Sequence, residues 1–257
     1  MVTLAIANQK GGTGKTTTAL ALGHKLALDG YRVLMIDTDA QGHLATGLGI
    51  QKAPGIERLV SWHEGQGTPL IVSARERLDL IPSDSRTSNA KQRLAGMPFR
   101  EDFLDKAMKH FAQYDVTVID CAPSVDVLHT AAVVAADWLI VPTRLDYLAV
   151  DGVNEVIMFL RDVKQYRDAA DVLGILPTFY DRRTNETLEQ LRTLVDTFGD
   201  LVSPPIPIDV KLREAPAFGQ TIWEYAPKTR SIVGLESNTN PYGGYARFVA
   251  QVREAVL

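Results

Sequence analysis

The sequence predicts an α/β fold: a doubly wound, mostly parallel sheet flanked by helices. Three observations predict it. Runs rich in Val, Ile and Leu alternate along the chain with helical patterns. Several of those runs are apolar at nearly every position, as expected of parallel strands covered on both faces. A glycine-rich turn joins the first strand to the first helix, where such folds hold anions.

The first strand, Thr3–Asn8, reads TLAIAN and runs straight into the glycine turn, after which a helix covers Lys15–Asp29. RVLMID gives the second strand, Arg32–Asp37, closing on a carboxylate. Gln51–Gly67 is the most loop-like segment of the chain. LDLIPS makes the third strand, Leu78–Ser83, and a helical pattern follows over Glu101–Tyr114. VTVID is the fourth strand, Val116–Asp120, and again ends on Asp; the helix Val125–Ala136 comes next. WLIVPT (Trp138–Thr143) and VLGILPT (Val172–Thr178) are the last strands, with helices at Val150–Arg167, Thr187–Phe198 and Tyr245–Val256. No repeat, low-complexity segment or long linker divides the chain, so residues 1–257 read as one domain.

Composition bounds the function. The chain has 257 residues, of which 46% are hydrophobic and 23% charged, values ordinary for a soluble globular protein with a sizeable core. No apolar run reaches the roughly 18 residues a membrane span needs. The N-terminus shows neither a basic region nor a cleavage site, so a cytoplasmic protein is expected. Cys121 is the one cysteine. It allows no internal disulfide and no Cys-x-x-Cys zinc site, and it reads as a buried packing residue. A net charge of −4 argues against a protein that coats nucleic acid constitutively, though not against a local basic patch.

Chemistry concentrates in NQKGGTGKTTT, Asn8–Thr18. The common phosphate loop reads G-x-x-x-x-G-K-[ST]; here Gln9 stands where its first glycine belongs, and Lys10 stands beside it. Gly11, Gly12 and Gly14 permit backbone conformations and close approach that side chains would block. The amides from Lys10 through Thr13 to Thr17, with the helix N-terminus, can cradle an anion. Lys15 is placed to reach the β- and γ-phosphates, and the Thr16 hydroxyl to hold Mg²⁺.

Two acidic stations accompany the loop. MIDTDAQGH (Met35–His43) carries Asp37 and Asp39 two residues apart, which sends both out on one side at the mouth of the sheet. VTVIDCAPS (Val116–Ser124) is an apolar strand closing on Asp120, a candidate Mg²⁺ ligand acting through water.

KGGTGKTT is the deviant Walker A motif, and the chain resembles the ParA/MinD family of P-loop ATPases, ParA/Soj-type partition ATPases above all. The resemblance runs from about residue 2 to near the end and is weakest over residues 50–100. It implies that Lys10 acts in trans, crossing a nucleotide-sandwich homodimer to touch the phosphates held by the other subunit. It implies that Asp39 orients or activates the attacking water while Asp37 assists around Mg²⁺. Ala40, His43 and Ala122 depart from the family pattern and leave the carboxylates in place. Pro207, Ile208 and Asp209 would line the adenine pocket for ATP or ADP. Arg182, Arg183, Lys211, Arg213, Lys228 and Arg230 would bind double-stranded DNA of any sequence once ATP has paired two subunits. A ParB-like or other adaptor would stimulate slow hydrolysis, with the protein associated with the nucleoid.

Two other functions compete. A MinD-like or cargo-positioning ATPase could use the C-terminal helix YGGYARFVAQVREAVL on a membrane, but its polar face offers only Arg247 and Arg253 against Glu254. Core packing is the expected role of that helix. A metabolic ligase or kinase is the alternative of another class, and turnover stimulated by a metabolite would mark it. The family's electron-transfer members need cluster-ligating cysteines, which Cys121 alone cannot supply.

Overall fold

The computed structural model describes residues 1–235 and 242–257. Its centre is a sheet of β1 (Val2–Ile6), β2 (Val33–Asp37), β3 (Val72–Arg75), β4 (Leu78–Ile81), β5 (Val116–Asp120), β6 (Trp138–Arg144) and β7 (Asp171–Thr178). The strand order is β3-β4-β2-β5-β1-β6-β7, parallel throughout except where β3 meets β4. The doubly wound, mostly parallel sheet expected from the sequence is therefore present.

The longer connections carry α1 (Lys15–Leu28), α2 (His43–Gly47), α3 (Gly55–His63), α4 (Thr87–Ala95), α5 (Phe103–Met108), α6 (Val127–Ala135), α7 (Ala149–Lys164) and α8 (Asn185–Phe198). Three single-turn helices follow, α9 (Lys211–Glu214), α10 (Ile222–Tyr225) and α11 (Arg230–Val233), before α12 (Tyr245–Val256).

Alternation along the strands sorts the helices into two layers. Leu4, Ile6, Met35, Val118 and Ile140 share a core with α1, α2 and α12. Ala5, Ile36, Ile119, Val141 and Ile175 share the opposite core with α3 to α8. Every residue of β2 and β5 is buried, and each large aliphatic side chain so covered contributes about 1.5–3 kcal/mol. The ends of these strands are consequently rigid. Their register is level: Asp120 pairs with Ile6 on one side and with Asp37 on the other.

The C-terminal helix is a core element. Tyr245, Phe248, Val249 and Val252 are buried in the α1 layer, and the Tyr245 hydroxyl lies 3.1 Å from Thr18 Oγ1. Among the described residues no helix is long and apolar enough to cross a membrane. Cys121 is buried as expected.

Four elements depart from the sequence reading. Gln51–Gly67 contains α3, whose Ile56, Leu59 and Val60 form a buried stripe behind a Pro54–Gly55 start. β3 and α4 were not expected. β3 is a four-residue edge strand with no fully buried position, and only Thr87, Ala90 and Leu94 of α4 are buried. The helix expected over Glu101–Tyr114 is a 3₁₀ turn, Arg100–Asp102, followed by α5; the chain after Met108 turns instead, to bury Phe111 and Tyr114.

Candidate active site

The glycine turn is held at its entrance by Asn8. This fully buried side chain donates from Nδ2 to the Pro142 carbonyl at 2.9 Å and accepts the Lys10 N–H on Oδ1 at 2.9 Å. The chain then passes Gly12 at φ 71° and Gly14 at φ 91°, which a side chain would strain. Nothing lies within 4 Å of where a Cβ on Gly11 or Gly12 would be, so the turn is an open cradle. Thr18 N–H closes the first turn of α1 on the Gly14 carbonyl at 2.8 Å. The amides just inside the helix have no intrahelical acceptor and carry the positive end of its dipole.

Lys15 is buried, and its ammonium donates to the Lys10 carbonyl at 2.8 Å. Burial lowers its pKa from the ordinary lysine value, against the opposing pull of Asp120, Cys121 and Asp39. Lys10 lies elsewhere. Its ammonium donates to the Leu148 carbonyl at the start of α7, and its methylenes lie about 3 Å from where a Cβ on Gly152 would stand. Within the chain, then, the two lysines of the motif point to different places.

The carboxylates converge below the cradle. Asp120 Oδ2 accepts the Thr16 hydroxyl at 2.7 Å, while Asp120 Oδ1 is buried with no partner. Burial pushes the Asp120 pKa up to about 7, although the Thr16 hydrogen bond and Lys15 pull it down. Asp37, fully buried, accepts the N–H of Asp39 on Oδ1 and of Leu44 on Oδ2, each at 3.0 Å. Its pKa is raised well above the carboxylate range by burial and then by Asp120. Both Asp37 oxygens thus hold the loop into α2, a duty that its expected place around Mg²⁺ did not foresee. Asp39 is only half-buried at the mouth, with Oδ1 accepting the Gln41 N–H at 2.9 Å. The donor set suits a magnesium ion: an orphaned carboxylate oxygen beside a hydroxyl, with room left for phosphate oxygens and water. Among the described residues no cluster of three or more His, Cys, Asp or Glu forms a protein-only metal cage.

Beside the cradle lies a cavity of about 280 Å³ whose walls include Gly14, Thr178, Pro207, Ile208 and Asp209. The three expected adenine-pocket residues are thus brought to it. Asp209 reaches it as a brace: its carboxylate accepts from Lys211 N–H at 3.0 Å, Ser231 N–H at 3.2 Å and the Thr229 hydroxyl. Sequence reasoning missed Arg144 and Phe179, which also line the cavity, the Arg144 guanidinium lying 4.9 Å from the Phe179 ring centre. The one available signal is that both stand at the C-terminal ends of strands, where ligands of such sheets bind.

The basic residues divide. Arg182, Arg183 and Arg230 border one depression of about 190 Å³ with Tyr180, Pro207 and Ile208. Arg183 is paired with Asp181 at 2.9 Å and Lys211 with Glu214 at 2.8 Å. Lys228 is exposed. Arg213, expected in the same patch, lines the cavity beside the cradle instead.

A parallel sheet with a phosphate cradle, a buried lysine and carboxylates at the level ends of β2 and β5 defines a P-loop ATPase. A family model described as an AAA domain matches residues 1–172. The sporulation initiation inhibitor protein Soj of Bacillus subtilis is 36% identical, over 88% of this chain and 92% of its own. The chromosome-partitioning ATPase Soj of Thermus thermophilus is 38% identical, over 87% and 88%. A solved structure described as cobyrinic acid a,c-diamide synthase from Mycobacterium smegmatis, with an ATP analogue and magnesium, superposes with a TM-score of 0.73. It shares 33% identity over 85% of this chain and 93% of its own. The chain belongs to this AAA-domain family and, within it, to the ATPases of ParA/MinD type.

Proposed function

We propose that the protein is a ParA-type partition ATPase. It binds ATP with Mg²⁺, pairs as a nucleotide-sandwich homodimer, and in that state binds double-stranded DNA without regard to sequence. Slow hydrolysis, stimulated by a ParB-like or other adaptor, resets it. The observation that carries the reading is Lys10. A second lysine beside the phosphate cradle, seated against α7 and away from Lys15, has a reason to exist if a partner's phosphates are its target. The similarity to Soj relatives over most of both chains supports the same reading.

Each residue then has a duty. The cradle amides and Lys15 neutralise the β- and γ-phosphates. Thr16 and Asp120 would hold Mg²⁺, Asp120 through water, with Asp37 fixing the loop behind them; the ion supplies counter-charge to the phosphates. Asp39 orients the attacking water, and Lys10 of the second subunit meets the charge that develops on the transferred phosphoryl group. Pro207 and Ile208 cover the base, while Asp209 braces the segment that carries them.

Lys10→Ala should leave nucleotide affinity of the monomer within about twofold. The ATP-dependent dimer should weaken by about 2–5 kcal/mol, the cost of truncating one side of a desolvated charge contact. Analytical ultracentrifugation with ATP measures it. Normal dimerisation and wild-type turnover in the variant contradict the trans role.

For the DNA surface, Arg182 and Arg230 are the residues to change, since Arg213 belongs to the base cavity. Each phosphate contact contributes about 0.9 to the slope of log affinity against log salt. Arg182→Ala removes one contact per subunit, so a dimer should lose about 1.8 from that slope. An unchanged slope in both Arg182→Ala and Arg230→Ala removes the depression from the DNA surface.

A second reading, an amide-forming ligase, is favoured by the Mycobacterium smegmatis structure. Carboxylate substrates that accelerate ATP turnover, with duplex DNA failing to do so, would select it.

A further inference from the structure

We propose that Thr178, at the end of β7, is a positioning residue for the phosphate cradle. By holding the Thr13 carbonyl, it fixes which way the Thr13–Gly14 peptide faces. The inference rests on the reading of Gly11–Thr17 as the ATP phosphate site.

Thr178 is buried, and its hydroxyl donates to the Thr13 carbonyl at 2.9 Å. Its methyl carbon lies 3.6 Å from where a Cβ on Gly14 would be, beside the glycine but not pressed on it. A trans peptide is planar, with its C=O and N–H pointing in opposite directions. A Thr13 carbonyl turned toward β7 therefore sends the Gly14 N–H away from β7, to the cradle side. Gly14 sits at φ 91°, yet glycine adopts either sign of φ about equally. Nothing in residue 14 itself prevents that peptide from flipping. The flipped form would offer the phosphates a carbonyl oxygen and withdraw a donor from them.

The constraint has to come from outside the turn, and the Thr178 hydroxyl supplies it through the Thr13 carbonyl. The sheet holds the threonine in turn. Thr178 pairs in register with Arg144 of β6, and its carbonyl accepts the Leu145 N–H at 3.2 Å. Asn8, bonded to Pro142 of β6, secures the entrance of the cradle, and Thr178 of β7 its exit.

The test compares Thr178→Val, which keeps the shape and removes the hydroxyl, with Thr178→Ser, which keeps the hydroxyl. Titration calorimetry with ATP and with ADP should show affinity about tenfold weaker in the valine variant for both nucleotides, equivalent to about 1.4 kcal/mol. The serine variant should stay within about twofold of wild type. A purely packing role gives the reverse order, with valine tolerated and serine impaired, and overturns the proposal. So does wild-type affinity in the valine variant. Should thermal melting show that Thr178→Val does not fold, Thr178→Ala is read in the same way. Lys15→Ala separates the two levels: if it loses ATP while Thr178→Val keeps it, only the positioning role falls. If Lys15→Ala keeps ATP, the phosphate-site reading falls as well.

Discussion

Lys15→Ala is expected to remove measurable ATP binding. The side chain is buried at the base of the cradle, with its ammonium on the Lys10 carbonyl and carboxylates of Asp120 and Asp39 close enough to act on it. A triphosphate entering that seat brings several negative charges next to two acidic residues. Without Lys15 those charges are desolvated with no side-chain cation of the same subunit against them. Leaving a buried charge uncompensated costs about 3–5 kcal/mol, roughly 10²- to 10⁴-fold in affinity at 1.4 kcal/mol per decade. The nucleotide-free fold should survive. Burial already holds the Asp120 pKa at about 7, so that carboxyl can take up a proton when its cation is removed. Calorimetry with ATP and a thermal melt without it measure the two halves of the expectation. Unchanged affinity contradicts the assignment of the site.

Asp39→Ala should separate binding from hydrolysis. Asp39 is half-buried at the mouth of the sheet, and among the described residues its carboxylate accepts one hydrogen bond, from the Gln41 N–H. Asp37 and Asp120, by contrast, are enclosed, engaged with the loop and with Thr16. Removing Asp39 therefore leaves the cradle, Lys15 and the Thr16–Asp120 pair in place. Turnover should fall by about 10²- to 10⁴-fold, the range for loss of a group that activates a nucleophile. ATP binding should persist, and the dimer should outlive that of the wild type because its exit step is blocked. Size-exclusion chromatography with ATP, alongside phosphate release, tests this; a purely monomeric variant, or one with wild-type turnover, rules out the role.

The central strands were legible because burial on both faces favours apolar residues at nearly every position, as in VLMID of β2 and VTVID of β5. The phosphate cradle was legible because its spacing is set by local backbone geometry around Gly12 and Gly14. α3 was hidden by Pro54 and Gly55, which read as a loop although a proline–glycine start still leaves Ile56, Leu59 and Val60 at helical spacing. β3 escaped because a four-residue, half-buried edge strand has almost no periodicity to detect. The second layer of the site was out of reach for a different reason. The bond from Thr178 to Thr13 spans 165 positions of the chain, and the Asn8 bond to Pro142 spans 134. No local pattern encodes such pairs. The basic segment likewise does not reveal that Arg213 turns to the cavity beside the cradle, although the Asp181 partner of Arg183 stands only two positions away.

The central claim is that ATP converts this chain into a DNA-binding dimer. The measurement that tests it most directly is fluorescence anisotropy of a labelled duplex of arbitrary sequence, titrated with the protein in ATP and magnesium and, separately, in ADP. Binding should be strong with ATP and far weaker with ADP, and it should fall steeply with salt, because pairing two subunits doubles the number of phosphate contacts. An ATP-loaded dimer that ignores duplex DNA even at about 50 mM salt, where screening of such contacts is slight, contradicts the account.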